Sequence, residues 1–303
     1  MRALRTVTWS IAVLAGGLGV SWAEDPRGTT HKFLAMGAKT YIRDGSGKTV
    51  WTYPGGSRDG WVLPGGEVLL AVNKGPGYPG GGVVLTNTEG KILFSYVGTQ
   101  SEVNTAQMLE DGKVLISEAG DKPRLLEVAR DGRIAREIPL KAQTKDHHLQ
   151  SRSSRKLASG NYLVPQLLDK VVREYDPAGE VVWEVKTPDM PFTAIRLDDG
   201  NTLIGCTLSN LVIEVDPQGK TVWQVSNDDL PGRPINDACG VQRLPNGNTV
   251  ITSHHAQGDD VRLTEVTRAK KLVWVFRDPT VPGIHHFQVL DTDGKPIGGR
   301  PLR

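Results

Sequence analysis

The chain has 303 residues, 36 basic and 34 acidic side chains, a net charge near +2 and two cysteines. Arg2 and Arg5 account for the whole basic excess, so there is no nucleic-acid footprint, and two cysteines are no disulfide scaffold. Thirty-five glycines and no sustained 3.6-residue apolar period exclude a helical protein and point to an all-β chain.

In chain order, the first element is a leader. "MRALRTVTWSIAVLAGGLGVSWA" (1–23) joins two arginines to a glycine-loosened apolar run and ends in small residues, Ser21 and Ala23. That pattern predicts a signal peptide, and the run is too short and glycine-rich for a good membrane span. The expected product is an exported, soluble, monomeric chain over 24–303 without a membrane span, holding 34 basic and 34 acidic residues.

Beyond the leader, short β-rich runs alternate with turns. "HKFLAMG", "KTYIRD" and "KTVWTY" come first, and the glycine-rich "GPGYPGGG" (75–82) follows as a loop between strands. It has no helix N-terminus with which to hold phosphate, and its composition suits a flexible lid. Later the pattern becomes an open repeat: "GNYLVPQLLDKVVREYDPAGEVVWEV" (160–185), "GNTLIGCTLSNLVIEVDPQGKTVWQV" (200–225) and "GNTVITSHHAQGDDVRLTEVTRAKKLVWVF" (247–276). Two markers run through the whole chain: Trp51, Phe94, Ala135, Trp183, Trp223 and Trp274, and Leu63, Leu109, Leu157, Leu197, Leu244 and Leu290. Six units of four strands at this period predict a six-bladed β-propeller. The chain starts with three strands of a blade and ends with an innermost-type strand ("HHFQVLDTDG"), so pairing its two ends would close the ring and remove free edges. The aromatic markers are expected between blades, and Gln107, Gln242 and Gln288, each two residues before a reference leucine, are expected to hydrogen-bond across blades.

In a four-stranded meander the turns alternate between the two ends of the strands. The compact "LPNGN" and "DPQGK" types share one end, so the longer connections share the other. Six of the chain's seven histidines fall in those longer connections as adjacent pairs: His147–His148, His254–His255 and His285–His286. Arg58, Asp59, Glu102, Asn104, Arg152, Arg155 and Asp237 lie on the same rim. Two chemistries fit. All six paired histidines are candidate ligands of a transition metal, in a site assembled from several blades. Alternatively, Arg152 and Arg155 clamp a small anionic ligand, with His147, His148, His285 or His286 as nucleophile or acid–base. Cys206 and Cys239 approach the same face in neighbouring blades, where a disulfide staple and two thiols are both open readings.

The "GN-[TY]-[LV]-[IV] … D-x-x-G-[KE]-x-V-W" element over 160–276 resembles bacterial arylsulfotransferase-type and pyrroloquinoline-quinone-like propellers. The first group implies an exported six-bladed enzyme with a sulfated histidine, for which His285 or His286 would be the nucleophile and Arg152 or Arg155 a partner. Their extra N-terminal domain has no counterpart in this chain. The quinoproteins normally have eight blades and about twice this length. The absence of adjacent cysteines and of calcium-site features argues against a quinone cofactor. Three roles therefore stand side by side: a binding funnel for a small anionic or metal-linked ligand, a group-transfer enzyme, and a protein-interaction platform.

Overall fold

The computed structural model describes residues 28–298 and 301–303; the leader over 1–23 lies outside them. The described residues form six antiparallel sheets arranged as the blades of a propeller. Blade 1 joins Ile284–Thr292 to His31–Gly37, Thr40–Arg43 and Thr49–Tyr53. Blades 2 to 6 occupy 57–97, 102–139, 155–186, 191–226 and 241–277, each with its first strand innermost. The closing strand pairs as expected, with Ala35 opposite Phe287 and Phe33 opposite Val289. No helix among the described residues is long and apolar enough to cross a membrane.

Among the described residues the core is divided between the blades. Six larger apolar clusters occupy the six blade interfaces; one unites Leu69, Val83 and Phe94 of blade 2 with Val103, Ile116 and Leu126 of blade 3. Middle strands such as Val68–Val72 and Thr202–Cys206 are buried on both faces because a neighbouring blade covers each side. Outermost strands such as Val181–Lys186 keep alternate residues in solvent.

The repeat signature has a physical explanation at each position. Leu197 and its counterparts open the innermost hairpin: Gly200 N–H donates to Leu197 O at 3.0 Å, and Leu197 N–H donates to Asn201 O at 2.8 Å. Gly200 takes a φ of +87°, a conformation that favours glycine. The asparagine of "GN" then donates to a buried glutamate of the same blade, as Asn201 does to Glu214 at 3.0 Å. That glutamate also binds a basic group of the next blade. Glu127 takes Lys156, Glu174 takes Arg196, Glu214 takes Arg243, and Glu265 takes His31, the one histidine outside the pairs. The tryptophans lie between blades as expected: Trp183 Nε1 donates to Pro217 O at 2.8 Å, under the guanidinium of Arg196 at 4.7 Å. The glutamines also bridge. Oε1 of Gln107, Gln242 and Gln288 accepts from the backbone N–H of Lys156, Val289 and Val62, each at 2.8 Å.

Three features take definite form only in the structure. The 75–82 segment is folded into bridged turns, Gly75 with Tyr78 and Pro79 with Gly81, and Tyr78 packs against the cluster of blades 1 and 2. Cys206 and Cys239 are both buried free thiols, so there is no staple. Most consequentially, the polypeptide continues past the closing strand. It adds Lys295–Pro296 beside that strand, and Leu302 then bridges to Arg243, bringing Arg303 into the central channel.

Candidate functional site

The site is delivered by a recurring irregularity. Near its start, an innermost strand carries one extra residue relative to its partner: Arg58 between Ser57 and Asp59, Asn104 between Val103 and Thr105, Phe192 between Pro191 and Thr193, and His285 opposite the Met36/Gly37 step. A bulge of this kind bends the strand and re-aims the extra side chain. All four lie five residues before their reference leucine, and the same offset in blades 4 and 6 gives Arg152 and Cys239. Six blades therefore contribute Arg58, Asn104, Arg152, Phe192, Cys239 and His285 at one level of the funnel. Side-chain contacts join several of them: the Phe192 and His285 rings meet edge to face at 4.3 Å, and the Arg152 guanidinium lies 5.9 Å from the Phe192 ring.

One side of this level is rich in positive charge. Glu102 receives Arg58 at 3.1 Å, Lys74 at 3.5 Å, His148 at 3.1 Å and Arg152 at 3.9 Å. Burial alone would raise its pKa, but the His148 hydrogen bond and the two arginine charges outweigh it and hold Glu102 at about 2. Arg152 is 2 % exposed, and burial, reinforced by Arg58, brings its pKa down to about 9. It donates through Nη1 to Ser151 O at 2.9 Å while Nε has no partner. His148 Nδ1 stands 3.3 Å from Arg152 Nη2 and 3.1 Å from Glu102 Oε1, so it accepts from Arg152 when it carries no proton and donates to Glu102 when it carries one.

The opposite side gathers imidazoles. His254 lies 4.6 Å from His285 and 4.9 Å from His255, ring centre to ring centre, and His255 Nδ1 is 3.1 Å from Asp237 Oδ2. Gly283 makes this possible: a Cβ there would stand 1.8 Å from the His254 carbonyl oxygen, so only glycine lets the strand approach this closely. Burial pushes the pKa of His285 well below the ordinary histidine value, with His254, Arg152 and Arg58 adding to the effect. Burial also lowers His254, against the opposing charge of Asp237. Burial, then Asp237, raises the Cys239 thiol well above its ordinary value, so it faces the funnel protonated.

Among the described residues, several buried polar atoms of this face lack partners: both side-chain amide atoms of Asn104, Ser151 Oγ, Ser153 Oγ, Arg152 Nε, Asp237 Oδ1 and His254 Nδ1. Native structures leave few such groups unpaired, and clusters of them mark places where a ligand, ion or water completes the set.

The structure therefore unites His148, His254, His255, His285 and Arg152 around one opening. It puts the remaining sequence candidates elsewhere. His147 turns towards the blade 3 edge, with Ser101 Oγ at 2.7 Å and Asp121 at 3.1 Å. Arg155 lies deeper and makes two bonds to Asp59, at 2.7 and 2.9 Å. His286 is fully buried beside it, accepting the Phe287 N–H at Nδ1, and is held neutral by burial and by Arg303 and Arg155. Arg303 completes this floor, donating to Asp59 at 3.3 Å and Phe287 O at 2.7 Å while stacking 4.0 Å over Trp61. Apart from Arg303 Nε, the charged groups of this floor are paired among themselves, and they close the channel beneath the funnel. Phe192 and Lys74 were not singled out from the sequence. The five-residue offset from the reference leucine would have found Phe192; Lys74 sits in a connection that carries no repeat marker.

No family model matches the chain, and no curated protein sequence does. Solved structures do match. A Bacteroides caccae protein of unknown function superposes with a TM-score of 0.76 at 24 % identity, covering 90 % of this chain and 99 % of that one. A periplasmic gluconolactonase from Pseudomonas aeruginosa gives a TM-score of 0.56 at 14 % identity, covering 90 % and 99 %. An inactive virginiamycin B lyase from Staphylococcus aureus with quinupristin gives 0.57 at 12 % identity, covering 82 % and 84 %. At these identities the likeness is one of fold, and it establishes the propeller.

Proposed function

We propose that the funnel binds a small anionic ligand at Arg152 and Arg58, on a protein exported by its arginine-led leader. The observation that carries this reading is a charge imbalance. Glu102 is shared among Arg58, Arg152, Lys74 and His148, and the buried Arg152 keeps an unused Nε–H. A planar guanidinium with a free edge, in a site of reduced polarity, suits an oxyanion such as sulfate, phosphate or carboxylate. The Asn104 amide and the Ser151 and Ser153 hydroxyls are further unpaired groups around the same funnel.

Group transfer is a second reading, supported by His285. Its imidazole stays neutral next to Arg152 and Arg58, the condition a nucleophilic histidine needs when the transferred group is an anion. The arylsulfotransferase resemblance named His285 or His286 alike; the floor encloses His286, which leaves His285 as the candidate.

Sulfate titrated into the chain, followed by calorimetry, tests the binding reading. One saturable site is expected. Arg152→Ala should lose about 1.5–3 kcal/mol, the contribution of hydrogen bonds to a charged group, or roughly 10- to 150-fold in affinity. Lys141→Ala, in an exposed surface pair, should bind as the parent does. Equal binding by the parent and a folded Arg152→Ala chain would remove the proposal. Turnover of an aryl sulfate that disappears in His285→Ala would decide for group transfer.

A further inference from the structure

We propose that Asp237, His254 and His255 form a mononuclear site for a borderline first-row divalent cation of the zinc class. Each offers one ligand atom, and the three atoms lie within 4.8 Å of one another. Two ligands at 2.0–2.1 Å from a tetrahedral ion stand about 3.3 Å apart. His255 Nδ1 and Asp237 Oδ2, at 3.1 Å, already have that separation.

Adjacent residues of a strand point to opposite faces, so neighbouring histidines could not normally share an ion. Here the strand stops at Thr252, and the next residues turn, which lets the two rings lie 4.9 Å apart with only 37° between their planes. The loop is pinned for this arrangement by the His254 N–H to Asp237 O at 3.1 Å and the His255 N–H to Asn236 O at 3.2 Å. Asp237 itself adopts a φ of +70°, uncommon for a residue with a side chain.

A second, independent observation points to a ligand. Asp237 is 4 % exposed, yet Oδ1 has no hydrogen-bond partner, and neither has the buried Nδ1 of His254. These bare atoms belong to two residues of the one cluster; each forfeits a hydrogen bond, and a cation bound among them supplies the compensating charge. Two nitrogens and one carboxylate oxygen suit zinc and its neighbours better than calcium or magnesium, which prefer all-oxygen shells. Three protein ligands leave a fourth position open, as in catalytic and not structural zinc sites. Beside it stand His285 and the charge of Arg152, so the open position takes a water or the anion of the preceding section. Only that fourth ligand rests on the anion reading; the other three do not.

The test is a zinc titration of the full chain, free of any polyhistidine tag and stripped with chelator, read by calorimetry and by zinc retained after gel filtration. One equivalent is expected. His255→Ala and Asp237→Asn should each weaken it by at least the 10- to 100-fold typical of losing even an outer-shell partner, about 1.4 kcal/mol per tenfold. His255 is exposed, so its replacement leaves the fold intact and keeps the result interpretable even where Asp237→Asn is unstable. His147→Ala, on the blade 3 edge, should retain zinc as the parent does. Absence of zinc in the parent, or equal zinc in parent and His255→Ala, overturns the centre. Zinc binding without any sulfate binding would sink the anion reading and leave the metal centre standing; sulfate without zinc would do the reverse.

Discussion

His285 and His286 are chain neighbours with opposite surroundings, one at the funnel mouth and one enclosed by Asp59, Arg155 and Arg303. Both, with His254, hold folded-state pKa values below the ordinary histidine value. The unfolded chain therefore takes up protons that the folded chain refuses once the pH drops below about 6.5. Stability is complete above that value and declines below it, each such histidine adding up to about 1.4 kcal/mol per pH unit to the slope. Urea melts between pH 5 and 8 should show the decline, and His286→Gln should flatten it by one histidine's share; an unchanged slope would mean that His286 protonates freely in the fold. At this scale the sequence was partly legible. Pairing of histidines and alternation of turns sufficed to bring His148, His254 and His285 to one face. Separating Arg152 from Arg155 required the register, because the two lie five and two residues before Leu157 and so belong to different levels of the channel.

Between blades, the glutamate–asparagine–cation links are the element most open to measurement. Glu214 is 1 % exposed and holds Asn201, Arg243 and Arg268 together across blades 5 and 6. Removing one partner of a buried ion pair strands the other, so Glu214→Ala should cost ~3 kcal/mol or more in denaturant melts. Glu180→Ala, which breaks the exposed pair with Lys141, should cost no more than about 1 kcal/mol. Similar losses in the two variants would show that the link is incidental. The "GN" and "W" positions of the repeat were visible in the sequence as conserved spacing within the chain, and the tryptophans were expected between blades. The glutamate went unrecognised because a charged residue in a strand normally marks a solvent face, whereas here a basic group of the next blade compensates it.

For the molecule as a whole, closure depends on the innermost strand of blade 1, which comes from the opposite end of the chain. A chain stopped after Gly283 lacks Ile284–Thr292 and exposes both the edge of His31–Gly37 and the flanks of blades 2 and 6, so it should fail to give a cooperative melt. A chain stopped after Pro296 keeps that strand and loses only Arg303 and its approach; it should stay folded by circular dichroism and melt at a lower temperature. Equal melting of the two truncated chains would contradict this division. The ring and its closure were readable from the two six-fold markers. The segment entering the channel was not, since "GGRPLR" offers a turn signal in its paired glycines but no strand pattern to say where the chain goes next. That segment changes what the funnel can accommodate. With Asp59, Arg155 and Arg303 locked together beneath it, the opening is a socket and not a tunnel. A guest arrives and departs through the same mouth, and an elongated polymer can offer only its tip, never a segment from its middle.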